Sequence, residues 1–329
     1  MQEDCPMHVL MPVPLPPLIR QTLSQHFTLH TLWDSGDPQA LIARIAPQIE
    51  AIATGVAILA EDHHFPITPA FMQHFAHLRL IANLGVGYDN IDVAWARQNH
   101  IEVTNTPDVL TDETADTAIG LMLNTIREFS AAEAYLRAGH WQHKAYRLSA
   151  SLRGRTLGII GLGRIGKAIA NRAEAFGLRI VYHGRHPQPA MPYAYYPSLI
   201  DMARAADILM VVAPGGPQTR HMVNRDILQA LGPNGVVINI ARGSLVDEAA
   251  LIEALTTRTI LAAGLDVYAN EPHVPEPLLQ LDHVVLLPHV GSGSQPTRDL
   301  MSQLVIDNLL AFEKGAPLLT PIRDDLWKM

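Results

Sequence analysis

The sequence predicts an α/β fold of two doubly wound domains, each built on a parallel sheet. Three observations predict it. Short apolar runs alternate with helix-forming stretches along nearly the whole chain, as they do where helices cover both faces of a parallel sheet. One such run, Thr156-Leu-Gly-Ile-Ile160, leads directly into Gly161-Leu162-Gly163-Arg164-Ile165-Gly166 and then a helical stretch from Lys167 to Phe176. The length, 329 residues, exceeds what a single core ordinarily serves and suits two domains.

Taken in order, His8 to Met11 is the first expected strand, and the prolines after it mark a loop. A helix over Leu18 to Gln25, a strand over Gly55 to Leu59, a helix over Pro69 to Phe75 and strands over Leu80 to Asn83 and Ile101 to Thr104 complete a small α/β domain. Asn105-Thr106-Pro107 marks a boundary. Thr111-Asp-Glu-Thr114 places capping-type and acidic residues ahead of an apolar run, the start of a long helix from Ala115 to about Arg137. Periodicity allows that helix to pack between domains or to be a plain core helix. After Thr156 to Ile160, strands are expected over Arg179 to Tyr182, Ile208 to Val212, Val236 to Ile240, Ala262 to Val267 and Val284 to Leu287. The final helix, Pro296 to Phe312, follows the last of these strands and is expected to return to the first domain. The expected division is 1–105 completed by 294–329, and 106–293.

Composition excludes several classes of function. Hydrophobic residues make up 48% and charged residues 17%, as in a soluble globular protein. The formal charge of -8 argues against a nucleic-acid or anionic membrane surface. The 16 histidines are scattered without metal-ligand spacing, so no metal is expected. Cys5 is the only cysteine, which precludes an intrachain disulfide and fits a reducing compartment. Pro6, Pro12, Pro14, Pro16 and Pro17 interrupt any leader-like apolar core, and no run approaches the ~20 apolar residues of a membrane span. A cytoplasmic location is the expectation.

Strand, G-x-G-x-x-G and helix together form a dinucleotide fingerprint of the Rossmann type, where a lone glycine motif would be weak. The glycines allow a tight turn and let backbone N–H groups approach a pyrophosphate at the positive end of the helix. About 20 residues beyond such a motif an NAD-binding domain carries Asp or Glu for the ribose 2′-OH. Here the second strand ends in His183-Gly184-Arg185-His186, with no carboxylate. A small residue followed by Arg leaves room and charge for a 2′-phosphate, so the expected cofactor is NADP(H), held in part by Gly184, Arg185 and His186.

Three ionisable residues stand just past expected strands: Arg242, Glu271 and His289. Ligands of open parallel sheets bind beyond the carboxyl ends of the strands, so these three are candidates for one pocket. Their chemistry is complementary. Hydride addition to a ketone leaves an alkoxide that needs a proton, and a histidine provides one near neutral pH. A carboxylate beside an imidazole favours imidazolium and fixes the ring. An arginine grips a carboxylate with two hydrogen bonds. Each also has a plainer reading: a cofactor contact for Arg242, a loop residue for Glu271, one histidine among many for His289.

Gly161–Gly166, Asn239-Ile-Ala-Arg-Gly243, Gly264-Leu-Asp-Val-Tyr-Ala-Asn-Glu-Pro272 and Leu287-Pro-His-Val-Gly-Ser292 resemble, in order and spacing, the D-isomer-specific 2-hydroxyacid dehydrogenase family. The resemblance covers nearly the whole chain. It implies two Rossmann-like domains, substrate-binding (1–105 with 294–329) and NADP-binding (106–293), with the active site in the cleft between them. It further implies Arg242, Glu271 and His289 as catalytic, with Arg242 on the substrate carboxylate and carbonyl and Glu271–His289 as acid/base pair. Asn83-Leu-Gly-Val-Gly-Tyr-Asp-Asn-Ile-Asp92 is similar to the family's substrate loop, where the N–H groups of Val86 and Gly87 receive the carboxylate. Cofactor contacts are implied at Leu162, Gly163, Arg164, Ile165, Gly166, Ala213, Pro214, Ile240, Asp266, Gly291 and Ser292, with Asp266 on the nicotinamide carboxamide.

The family's common Asp is replaced by Gly184. With Val212-Ala-Pro-Gly-Gly-Pro217 and Pro317-Leu-Leu-Thr-Pro321, this looks most like the NADPH-dependent glyoxylate/hydroxypyruvate and hydroxyphenylpyruvate reductase branch. Such enzymes are generally homodimers, and the 115–137 helix with His140 and Trp141 resembles their dimer-forming region. The implied activity is reduction of a small 2-oxo acid to the D-2-hydroxy acid. Two alternatives stay open: an NAD-linked 2-hydroxyacid dehydrogenase, such as phosphoglycerate or formate dehydrogenase relatives, and an NAD(H)-sensing binding protein of the same fold. Gly184 weighs against NAD, and the chain ending at 329 weighs against the larger phosphoglycerate enzymes. Which 2-oxo acid is used depends on pocket walls, including the loop after Leu59.

Overall fold

A computed structural model describes residues 6–55 and 65–323. Cys5 and the loop after Leu59 lie outside the described residues. The chain divides into two compact units, one from the described residues up to Leu110 together with those from Ser294 onward, the other Thr111–Gly293.

The first unit carries a parallel five-stranded sheet: β1 His8–Met11, β2 Thr28–Thr31, β3 Ile49–Gly55, β4 Leu80–Leu84 and β5 Glu102–Thr104, in the order β2-β1-β3-β4-β5. Strand order reverses beside β1, as in a doubly wound sheet. β4 is buried along its whole length, as a central parallel strand with helices on both faces must be. Helix Gln295–Glu313 packs against helix Pro17–Leu23 and β4, so the end of the chain completes this unit. Of the strand expected over Gly55 to Leu59, 56–59 lie outside the described residues, and Gly55 is the last residue of β3, which spans Ile49–Gly55. Gly55 is needed where it stands, because a Cβ there would lie 2.8 Å from the Leu84 Cβ.

The second unit carries a parallel seven-stranded sheet: β6 Thr156–Ile160, β7 Arg179–His183, β8 Ala194–Tyr196, β9 Ile208–Val211, β10 Val236–Asn239, β11 Ala262–Leu265 and β12 Val284–Leu286. Their order is β12-β11-β10-β9-β6-β7-β8, so the winding reverses between β6 and β9. Side chains alternate between two apolar layers. Ile208, Met210, Val236 and Ile238 join one, while Leu209, Val211 and Val237 join the other. With both faces buried, the sheet's exposed functional groups are confined to its ends.

The long helix expected from Ala115 to Arg137 is two helices, Thr111–Arg127 and Phe129–Arg137. The first lies on the second unit's sheet, against helix Arg164–Ala175 and β10 to β12. Glu128 between them adopts a left-handed conformation (φ 57°). Its carboxylate accepts from the Tyr146 hydroxyl at 2.8 Å and Arg147 Nε at 2.7 Å, which holds the break. Neither Gly nor Pro marks it in the sequence. Among the described residues no helix is long and apolar enough to cross a membrane, and no group of three or more His, Cys, Asp or Glu is placed to hold a metal ion.

Candidate active site

In the second unit, Glu271 and His289 meet. His289 Nδ1 lies 2.7 Å from Glu271 Oε2. The Glu271 side chain is almost wholly buried (4% exposed) and that of His289 is a quarter exposed. The other carboxylate oxygen, Oε1, accepts the backbone N–H of Tyr268 at 3.0 Å, so the carboxylate cannot swing away from the ring. With Nδ1 committed to Glu271, the imidazole offers Nε2 for chemistry.

His289 is one of the few non-glycine residues with positive φ, 52°. Such backbone persists where its surroundings over-determine it. Here Asp266 does so three times. Its carbonyl accepts the N–H of His289 at 3.0 Å. Its Oδ1 and Oδ2 accept the N–H groups of Val290 and Gly291 at 2.7 and 2.8 Å. Asp266 is buried, and burial raises its carboxyl above the ordinary range despite those donors. This grip on the His289 turn is a role that sequence reasoning missed beside the expected carboxamide contact.

Arg242 follows β10 and is half-buried, its Nη1 donating to the Ala241 carbonyl at 2.7 Å. Asn239 shapes this turn: its amide donates to the Arg242 carbonyl at 2.9 Å and its oxygen accepts the Ala241 N–H at 3.1 Å. The next residue presses against the stretch that carries Glu271, since a Cβ on Gly243 would lie 1.9 Å from the Tyr268 carbonyl carbon. The Tyr268 hydroxyl in turn donates to the Leu287 carbonyl at 2.9 Å, two residues before His289. Burial, then the nearby Asp266 and Glu271 carboxylates, push that phenol far above its ordinary value, so it remains a neutral donor. Gly243→Ala therefore forces apart the segments bearing all three candidates. The expected loss is about 3 kcal/mol or more, at the upper end for overpacking, and chemical denaturation reads it; unchanged stability would show that the contact yields.

The glycine turn sits where the strand order reverses. A Cβ on Gly161 (φ 99°) would lie 2.7 Å from the Ala213 Cα, and one on Gly166 would lie 2.3 Å from the Gly161 carbonyl oxygen. Gly163 and Arg164 are exposed, and nothing lies within 4 Å of a Cβ built on Gly163. Two glycines thus serve packing, and the middle one keeps the helix N-terminus open to a phosphate, so the turn fits a dinucleotide. Ala213 and Pro214 follow β9, Ile240 follows β10, and Gly291 and Ser292 follow the His289 turn. Gly184, Arg185 and His186 follow β7, with Arg185 and His186 exposed. All lie beyond the carboxyl ends of the second unit's strands or on the turns that continue them.

In the first unit, the loop after β4 turns its carbonyls inward. Asn83 Nδ2 donates to the carbonyls of Gly85 (3.3 Å) and Gly87 (2.9 Å), and Asn105 Nδ2 to that of Val86 (3.0 Å). The Gly85 N–H is taken by Thr106 Oγ1 at 3.0 Å. The N–H groups of Val86 and Gly87 have no acceptor among the described residues. Two successive N–H groups without an acceptor suit an anion. Asn83, Asn105 and Thr106 were not among the expected site residues. The signal for them was polar side chains flanking a glycine turn at strand ends.

Comparison with known proteins shows what the chain is similar to. The model of the D-isomer specific 2-hydroxyacid dehydrogenase NAD binding domain matches residues 119–291. The chain is 43% identical to glyoxylate/hydroxypyruvate reductase A of Arabidopsis thaliana, over 95% of this chain and 98% of that one. It is 42% identical to hydroxyphenylpyruvate reductase of Plectranthus scutellarioides over the same shares. Among solved structures, NADPH-dependent glyoxylate/hydroxypyruvate reductase of Sinorhizobium meliloti, in complex with NADP and malonate, is 47% identical with a TM-score of 0.90, covering 97% of each chain.

Proposed function

Because the chain belongs to the D-isomer-specific 2-hydroxyacid dehydrogenase family, and is thus an oxidoreductase acting on CH–OH groups with a nicotinamide cofactor, we propose that it reduces a small 2-oxo acid to the D-2-hydroxy acid with NADPH. The observation that carries the proposal is the buried Glu271 carboxylate 2.7 Å from His289.

His289 Nε2 gives its proton to the substrate carbonyl oxygen, and Glu271 stabilises the imidazolium before transfer and orients the ring throughout. Arg242 pairs with the substrate carboxylate and polarises the carbonyl. The Val86 and Gly87 N–H groups are the first unit's candidate donors to a substrate carboxylate. The bound cofactor supplies the hydride. When bound, the cofactor would be held at its pyrophosphate by Leu162–Gly166 and the helix they open, with Ala213, Pro214, Ile240, Gly291 and Ser292 as further contacts and Asp266 for the carboxamide. The substrate belongs to the class shared by glyoxylate, hydroxypyruvate and an aryl pyruvate, as named for the relatives. A panel of these three with both cofactors tests the reading. It predicts the highest kcat/KM with NADPH, and equal or better turnover with NADH would overturn the cofactor assignment.

NADPH is favoured because Gly184 offers no carboxylate and Arg185 offers a cation for the 2′-phosphate. Gly184→Asp with Arg185→Ala should reverse the preference. Nothing lies within 4 Å of a Cβ at Gly184, so the aspartate fits without disturbing the fold. A lost charge-assisted bond is worth about 1.5–3 kcal/mol, roughly tenfold to a hundredfold. The change should fall on cofactor KM, because the phosphate is remote from the hydride. An unchanged preference in the double variant would show that 183–186 do not set it.

We also propose a homodimer formed through residues 129–148. Phe129, Leu136, Trp141 and Leu148 are 52%, 52%, 66% and 98% exposed there, a density of bare apolar side chains unusual on a free surface. Light scattering should give the mass of two chains, and a one-chain mass would refute the dimer.

A further inference from the structure

The segment that follows β7 is tied down at three points. The phenol oxygen of Tyr182, a residue 1% exposed, accepts the backbone N–H of Gln188 at 2.6 Å. The Gln188 side chain reaches the glycine turn, where its Nε2 donates to the Leu162 carbonyl at 2.8 Å. The Tyr195 hydroxyl donates to the Gly184 carbonyl at 3.0 Å. Tyr182 and Tyr195 are register partners on β7 and β8, with ring centroids 5.3 Å apart. Residues 184–188 are therefore a short loop held at its start by Tyr195 and at its end by Tyr182 and by the Gln188 side chain. Arg185 and His186 are exposed at its tip.

We propose that Gln188 is a positioning residue for 2′-phosphate recognition, setting the tip of this loop at a fixed reach from the glycine turn. The inference rests on the NADPH reading above. In that reading the glycine turn receives the pyrophosphate and the loop tip receives the 2′-phosphate. The two phosphate sites must then stand at the separation that one adenosine ribose imposes. Gln188 is the side chain that joins them directly, by its amide to Leu162. Without that tie the loop keeps its anchors to Tyr182 and Tyr195 but loses its fixed reach to the glycine turn, and restoring that reach on binding would weaken affinity. A tied loop presents its cation already in place. NADH carries no 2′-phosphate and does not engage the loop tip. Losing the tie should therefore weaken NADPH selectively, whereas general damage to the unit would weaken both cofactors.

The test is equilibrium binding, without turnover. Dissociation constants for NADPH and NADH are measured by fluorescence titration, and that of adenosine 2′,5′-bisphosphate by calorimetry, for the wild type, Gln188→Ala and Tyr195→Phe. Loss of one neutral hydrogen bond predicts a rise of roughly fivefold to tenfold for NADPH and the bisphosphate in Gln188→Ala. NADH should stay within about twofold. Tyr195→Phe, which keeps the ring and removes only the donor to Gly184, should follow the same pattern. If the wild type binds NADH as tightly as NADPH, the cofactor reading falls and this one with it. If the wild type prefers NADPH while Gln188→Ala changes neither cofactor, or weakens both equally, the positioning role alone is overturned.

Discussion

His289→Gln is expected to lower kcat by roughly 10²–10⁴-fold in a folded protein that still binds NADPH, because the substrate oxygen loses its proton donor. The side chain is part of the surface and its contact with Glu271 is polar, so its removal opens no apolar cavity. The backbone at 289 is left-handed, which a glutamine tolerates poorly. His289→Asn is the companion variant, since asparagine accepts that conformation readily. Both should be inactive for the same reason. Wild-type kcat in a folded variant would remove His289 from proton transfer.

Arg242→Lys should cost roughly 10²–10³-fold in kcat/KM although the charge is kept. A guanidinium donates two parallel hydrogen bonds to a carboxylate, and each charged bond is worth about 1.5–3 kcal/mol. An ammonium on a flexible stem reproduces the charge without the fork. The defect should appear in both KM and kcat, since the same group binds the head of the substrate and polarises its carbonyl. Full retention of both constants would place the carboxylate clamp elsewhere. The turn built by Asn239, with Gly243 pressed against Tyr268, fixes where the arginine emerges. Rescue by an exogenous guanidinium ion in Arg242→Ala would support the assignment further.

Much of this arrangement was legible in the sequence because the physics behind it is local. β6, β9, β10 and β11 read as apolar runs because parallel strands bury both faces. The glycine turn read clearly because a strand and a helix flank it. Arg242, Glu271 and His289 stood out because each is an ionisable residue just past an expected strand. The illegible parts depend on contacts distant in sequence. The break at Glu128 is held by Tyr146 and Arg147, about 18 residues on. Edge strands β2 and β8 are short and only partly buried, so neither shows an apolar run. Asp266 was legible as a site residue but not as the clamp on the His289 turn, which closes across 24 residues. Gln188 gives no local signal, since an exposed-looking glutamine in a proline-rich loop is ordinary until its partner, Leu162, is known.

The central claim is that this chain catalyses reduction and does not merely bind a dinucleotide. Its most direct test is the stoichiometry of NADPH consumed against D-2-hydroxy acid formed, by chiral chromatography, with hydroxypyruvate in excess and the purified protein as catalyst. The account predicts one D-hydroxy acid for each NADPH over many turnovers, abolished by His289→Gln. No product above the uncatalysed background from hydroxypyruvate, glyoxylate or an aryl pyruvate, with cofactor demonstrably bound, would contradict it.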